Sequence, residues 1–205
     1  MTDTAVLEAI APVSNGAKPT IDLSQPYVAT IGVEGSVAFL FHRWLCEAVE
    51  AKATAAKGSR AKKSDDLESY VYRDPKGILA IPGEYFRMSL VNAAKFRQDP
   101  RSPRASALGL FKAAVSVQDE FCSLGVKDWD YVDQRRVMVQ RNGITRMRPA
   151  MQAGWKTTLA LIINAPEYVP PAVLHETLTN AGRLVGVGDF RPTYGRFFIT
   201  SFEVR

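Results

Sequence analysis

An apolar run, Leu79-Ala80-Ile81, stops at Pro82-Gly83 and passes at once into Glu84-Tyr85-Phe86-Arg87-Met88-Ser89-Leu90, where the apolar residues recur at helical spacing. Proline brings no N–H to a strand ladder and is well placed at the entrance of a helix. The chain must therefore turn from strand to helix within two residues. Phe86, Leu90, Val91 and Ala94 carry the predicted helix over 83–97. A second junction lies a hundred residues on. There a helix predicted from Pro170-Pro171 to about Leu184 leads through Gly186-Val187-Gly188-Asp189-Phe190-Arg191-Pro192-Thr193-Tyr194-Gly195-Arg196 into an alternating strand over 195–204.

The other elements fall around these two. Residues 1–24 are rich in Ala, Ser, Thr and Pro and read as a loosely held arm. Tyr27 to Val33 alternates and is β-branched, a first strand. Apolar residues at 37, 40, 41, 44, 45 and 48 predict a helix over 35–50. Residues 67–80 predict a hairpin turning at Asp74-Pro75-Lys76-Gly77. Arg97 to Arg104 reads as a Pro-broken basic loop, and Ala105 to Leu124 as a further helix ended by Gly125. Arg135 to Arg141 predicts a strand, Asn142-Gly143 a turn, and Trp155 to Asn164 the antiparallel partner, with 144–154 as a bulged hairpin end. With insertions at about 36–80 and 98–130 set aside, strand, helix, strand, strand, helix and strand remain. That order predicts one α+β domain over 25–205, a ferredoxin-like βαββαβ antiparallel sheet with its helices on one face.

Charge is uneven along the chain. The formal net charge of +5 fits an anionic partner only weakly, so the placement of the cations decides. Residues 51–66 (AKATAAKGSRAKKSDD) hold no large apolar side chain but include Lys57, Arg60, Lys62 and Lys63, a loop suited to clamping a strand. Arg191 and Arg196 lie inside the glycine-rich segment, where Gly186 and Gly188 predict a backbone nest for phosphate. Arg87 sits near the start of its helix, whose free N–H groups suit an anion, and is expected to meet a phosphate. Arg135-Arg136 with Arg146, interleaved with Met138 and Met147, suits stacked bases and backbone contacts, and one of the pair should face the open side of the sheet.

Catalytic chemistry is thinly represented. Cys46 and Cys122 lack a CxxC partner and read as reduced, buried thiols; with His42 and His175 they make no zinc set. No GK[ST] follows the glycine segment, so nucleoside triphosphate hydrolysis is not expected, nor is any metal or cofactor. His42 as acid–base, or Asp65 and Asp66 as Mg²⁺ ligands, would be the residues of a nuclease. No secretory signal or membrane span is visible, which predicts a cytoplasmic protein.

Ile81-Pro82-Gly83 running into Phe86-Arg87-Met88-Ser89-Leu90 resembles the strand-to-helix signature of the RAMP superfamily of CRISPR-associated proteins, and Gly186 to Phe197 resembles its C-terminal glycine-rich loop. The layout is most similar to the Cas7-like group, whose members coat guide RNA. Gly32 to Arg43 is also similar to small Cas7-like proteins of phages and mobile elements. The chain is short for that group, carries Arg87 where lysine is common, and places the 51–66 loop where a thumb-like insertion often sits. The resemblance implies a non-enzymatic subunit that binds single-stranded RNA, with DNA as the lesser expectation, and assembles with copies of itself and other subunits in antiviral defence. Two rivals stand beside it. One is an endoribonuclease of the same superfamily, and the other a phage assembly protein that binds no nucleic acid.

Overall fold

Tyr27, Ala29, Ile31 and Val33 are buried on one face of β1 (Tyr27–Gly35), while Val28, Thr30 and Glu34 lie partly exposed on the other, as strand alternation requires. The structure is a computed structural model that describes residues 24–44, 54, 66–139 and 142–205. β1 lies in a four-stranded sheet ordered β12-β1-β11-β7, where β7 is Val115–Val117, β11 Lys156–Ile163 and β12 Phe197–Val204. All neighbouring pairs are antiparallel. Numbered along the chain the order is 4-1-3-2, which is the ferredoxin-like arrangement.

Helix α1 (Gly83–Ala93) and the shorter α2 (Leu108–Ala114) precede β7, and α3 (Pro171–Asn180), continued by a π-turn over Ala181–Val185, precedes β12. Phe86 and Leu90 of α1 and Leu174 and Leu178 of α3 join Ile31, Leu159 and Leu161 in one buried cluster, so the helices share one face of the sheet. Thr30, Gly32 and Thr158 lie on the opposite face. Its central strands carry a single ion pair, Glu34 to Lys156 at 3.1 Å.

Several sequence expectations change here. The helix expected over 35–50 is absent from 36–44, and 45–50 lies outside the described residues. In its place is the short strand β2 (Phe39–Leu40). Phe39, Leu40 and Phe41 are all buried, because partners cover the segment on both sides. The Phe41 N–H donates to the Pro149 carbonyl (3.0 Å), while the Leu40 and Ala38 carbonyls accept from the N–H groups of Asp189 (3.0 Å) and Gly195 (2.8 Å).

The helix expected over 105–124 ends at Ala114. The β-branched Val115 and Val117 leave it as the edge strand β7, and Phe121–Ser123 forms β8. The basic segment 97–104 is a small hairpin of β5 (Gln98–Asp99) and β6 (Ser102–Ser106), braced by Asp99, whose carboxylate accepts from the Arg101 backbone (2.9 Å) and guanidinium (3.0 and 2.7 Å). The hairpin at Asp74–Gly77 forms as expected between β3 (Tyr72–Arg73) and β4 (Leu79–Pro82), and β8 adds to its far side.

The largest change concerns pairing. β9 (Tyr131–Val139) pairs with β10 (Asn142–Met151), and β11 pairs with β1 in the central sheet. The arginine-bearing strand therefore belongs to a separate two-stranded ribbon. Leu40 and Phe39 of β2 join that ribbon at Ala150 and Met151.

Candidate nucleic-acid interface

Register decides which arginines of the ribbon face the protein. Arg136 lies opposite Thr145 and Gln134 opposite Met147; Arg135 lies opposite Arg146 and Asp133 opposite Arg148. Gln134, Arg136, Met138 and Thr145 are exposed, Met138 to 67%. The Asp133, Arg135 and Arg148 side faces the glycine loop.

Two inward arginines are fully engaged. Arg148, only 2% exposed, donates from Nε to Asp189 Oδ2 (3.2 Å) and from Nη1 to the Met147 carbonyl (2.9 Å), with its guanidinium 4.0 Å from the Tyr70 ring centre. Arg135 grips Asp133 with Nε (2.6 Å) and Nη2 (2.5 Å), donates to the Tyr194 hydroxyl (2.7 Å) and lies 4.7 Å from the ring centres of both Phe190 and Tyr194. The hydrogen bond to Asp133 pushes the Arg135 pKa above even its ordinary range. Neither Arg135 nor Arg136 lies on the open face of the central sheet, which corrects the sequence expectation. Arg136 is the one of the pair that reaches solvent.

The glycine loop has a different use from the one its composition suggests. At Gly195 (φ +71°) a Cβ would lie 1.7 Å from the Val187 carbonyl oxygen, and at Gly188 (φ +81°) it would lie 2.5 Å from the Phe39 ring. Only glycine fits either position. The N–H groups of Gly186, Val187, Asp189, Phe190, Tyr194 and Gly195 all donate to protein acceptors. Those six N–H groups are thus engaged within the protein, and Gly186 and Gly188 let the loop pack on itself and on β2. The Arg191 and Arg196 side chains remain exposed on it, with no hydrogen bond or ion pair to other described residues, while the Arg196 carbonyl accepts from the Ser36 N–H (2.9 Å).

Arg87 is engaged within the protein. Its Nε donates to the Val115 carbonyl (2.7 Å), Nη2 to the Lys112 carbonyl (2.7 Å) and Nη1 to Glu84 (2.7 Å), so it caps the end of α2. Asp66 accepts from the Glu68 N–H (3.2 Å) and starts a 3₁₀ turn over Glu68–Tyr70. Lys57, Arg60, Lys62, Lys63 and Asp65 lie outside the described residues.

His42 lines a pocket of about 420 Å³ with Glu84, Tyr85, Met88 and Asn92 of α1 and Gly188, Asp189 and Arg191 of the glycine loop. Its Nδ1 is buried, 3.7 Å from Asp189 Oδ2, and makes no hydrogen bond to other described residues. Burial pulls the His42 pKa below the usual imidazole value; Asp189 opposes that shift, while Arg148 and Arg146 add to it. The ring stacks near-parallel to Tyr70, centroids 6.4 Å apart. Among the described residues no group of three or more His, Cys, Asp or Glu could hold a metal ion.

No protein-family model and no curated protein matches this sequence. The fold, in contrast, matches. A chain from the cryo-EM structure of Type III-B Cmr-beta bound to cognate target RNA superposes with a TM-score of 0.53 at 9% identity, over 88% of this chain and 61% of that one. This chain thus spans about three-fifths of the length of the solved chain. At such identity the likeness is one of fold.

Asp189, Tyr70 and Tyr194 complete the surface and were not singled out from the sequence. Asp189 alone carried a signal: an acid inside a basic, glycine-rich segment needs a cation to face, and Arg148 is that cation.

Proposed function

We propose that this chain holds a single strand of nucleic acid, RNA in preference to DNA, and repeats along it in a ribonucleoprotein as a Cas7-like backbone subunit does, without cutting it. One observation carries this reading. β2 sets the ribbon and the glycine loop side by side, and together β9, β10 and residues 186–196 hold six arginines against two carboxylates. Both carboxylates, Asp133 and Asp189, are already paired with Arg135 and Arg148. Of the other four, Arg136, Arg191 and Arg196 are exposed, Arg136 on the outer ribbon face with Gln134 and Met138, and Arg146 is half-buried opposite Arg135. Cations of this kind release counterions when they meet phosphates. The fold shared with a chain from an RNA-bound assembly supports the same reading. No helix among the described residues is long and apolar enough to cross a membrane.

The test is anisotropy with a labelled 30-nucleotide RNA across a salt series. Affinity should fall steeply with salt, and the Arg136→Ala/Arg191→Ala/Arg196→Ala variant should lower the log–log slope by about 2, at roughly 0.7 per phosphate contact on a single strand. A flat salt dependence, or an unchanged slope in the variant, would overturn the binding surface. RNA recovered shortened from the same tubes would replace holding by cleavage.

A further inference from the structure

We propose that the pocket between α1 and the glycine loop is a nucleotide subsite, taking one base into the cleft with its phosphate on Arg191. This rests on the strand-binding reading for its biological ligand but not for its chemistry. A volume of about 420 Å³ falls within the range of small-molecule sites, which hold a flat, partly apolar body and fix it with few polar groups.

The polar lining narrows the ligand class. Glu84 is paired with Arg87 (2.7 Å) and Asp189 with Arg148 (3.2 Å), so neither carboxylate asks for a cation. The Tyr85 hydroxyl donates to the His42 carbonyl (2.8 Å) and is engaged. Arg191 is then the one lining cation without a carboxylate partner among the described residues, and it is exposed at the rim. An anionic group belongs there, and a guanidinium forks a phosphate. Asn92, also in the lining, uses one amide hydrogen on the Met88 carbonyl (2.7 Å). Its other N–H and its carbonyl oxygen remain, a donor beside an acceptor, which is the pattern a base edge presents in reverse. Met88 offers a polarizable apolar wall and the His42 ring a flat one. His42 adds an independent sign of a site: its buried Nδ1 has no hydrogen-bond partner among the described residues, 3.7 Å from Asp189. A phosphate alone would leave the cleft empty, and a free base would leave Arg191 unanswered. A nucleotide satisfies both ends.

The nucleotide can come from the bound strand or from solution, and the experiment separates these sources. The full chain is titrated with each nucleoside 5′-monophosphate, with inorganic phosphate and with ribose 5-phosphate, following the His42 ring C–H resonances by NMR. In parallel, Asn92→Leu and Met88→Ala are assayed for RNA affinity across salt, and an RNA with abasic positions is compared with the intact strand. Monophosphates should move the His42 resonances while phosphate and ribose 5-phosphate do not. For a base supplied by the strand, Asn92→Leu should weaken RNA binding roughly tenfold, about one lost hydrogen-bonded contact, with no change in salt slope, since no charge is removed. The abasic strand should then bind wild type and Asn92→Leu alike.

Monophosphate binding without any effect of the variants on RNA assigns the subsite to a free nucleotide. If RNA binds with its full salt slope while neither variant changes affinity and no monophosphate moves His42, the subsite is overturned and the strand surface stands. If RNA fails to bind but monophosphates do, the strand reading falls and the subsite stands. Met88→Ala keeps the test decisive should Asn92→Leu not fold.

Discussion

The inner face of the β9–β10 ribbon meets the glycine loop through Arg135 and Arg148, each held by a carboxylate and an aromatic ring; the outer face turns Arg136 and Met138 to solvent with no such partners. The two sets alternate along the same strands, and Arg135 and Arg136 are chain neighbours. Strand geometry thus divides similar residues between a packed face and a solvent face. Total charge is a poor guide to such a surface, because Arg135 and Arg148 are spent on fastening the ribbon while Arg136 stays open to solvent.

The sharpest way to break this comparison is at Arg148. Its removal leaves Asp189 partly buried and uncompensated beside Phe39 and β2, so Arg148→Ala should cost about 3–5 kcal/mol of stability. Urea denaturation gives the number, and a loss below about 1 kcal/mol would mean that the inner face is not what holds the ribbon. Arg135→Ala should cost less, about 2 kcal/mol, because its guanidinium is partly open to water even though it is forked by Asp133 and stacked on two rings. Arg135→Lys should not restore it, since an ammonium can neither fork nor stack in the same way. A full rescue by lysine would reduce the site to simple charge.

At Arg136 the effects should reverse. Stability should stay within about 0.5 kcal/mol of wild type, as for most surface substitutions. RNA affinity should fall by about 1 kcal/mol and the salt slope by roughly 0.7. A destabilised but fully binding Arg136→Ala would invert the assignment of the two faces.

How far the sequence reveals this depends on how many sides of each segment are buried. β1, α1 and α3 bury one face each, so period 2 or 3.6 shows plainly in Tyr27–Val33, in Phe86, Leu90 and Val91, and in Leu174 and Leu178. Phe39, Leu40 and Phe41 are enclosed between β10 and the glycine loop, and because this run is buried on all sides it mimics part of a helix stripe, although Trp44 beyond it is exposed. Ala114 and Val115 have no breaker between them, which hid the end of α2. Pairing was beyond local patterns. Nothing near Arg135 says that its strand pairs with Asn142–Met151, leaving Trp155–Asn164 to the central sheet.

The site divides in the same way. Alternation places Arg135 and Arg136 on opposite faces, but which one points outward depends on a glycine loop fifty residues later. The loop was legible as a special backbone; its purpose was not. The ring of Phe39 under Gly188 and the carbonyl of Val187 at Gly195 explain the glycines, and both are contacts of the folded state alone.

The smallest effect should come from His42, which sits where the two regions meet. Burial holds its folded pKa below the unfolded value; the Asp189 carboxylate counters, while Arg148 and Arg146 on β10 add to the depression and Tyr70 covers the ring. The folded state therefore binds fewer protons than the unfolded chain between those two pKa values, and stability rises with pH across that window. Its contribution is complete above the unfolded imidazole pKa of about 6.5 and is lost as pH falls toward the folded one. Urea midpoints at pH 7.5 and 5.5 should show a decrease on acidification that His42→Gln makes smaller. The ring is partly exposed, so the change should be slight compared with either inner arginine. A gain in stability on acidification, abolished by His42→Gln, would mean that the protonated ring closes the 3.7 Å gap to Asp189 and joins the inner face as a third cation.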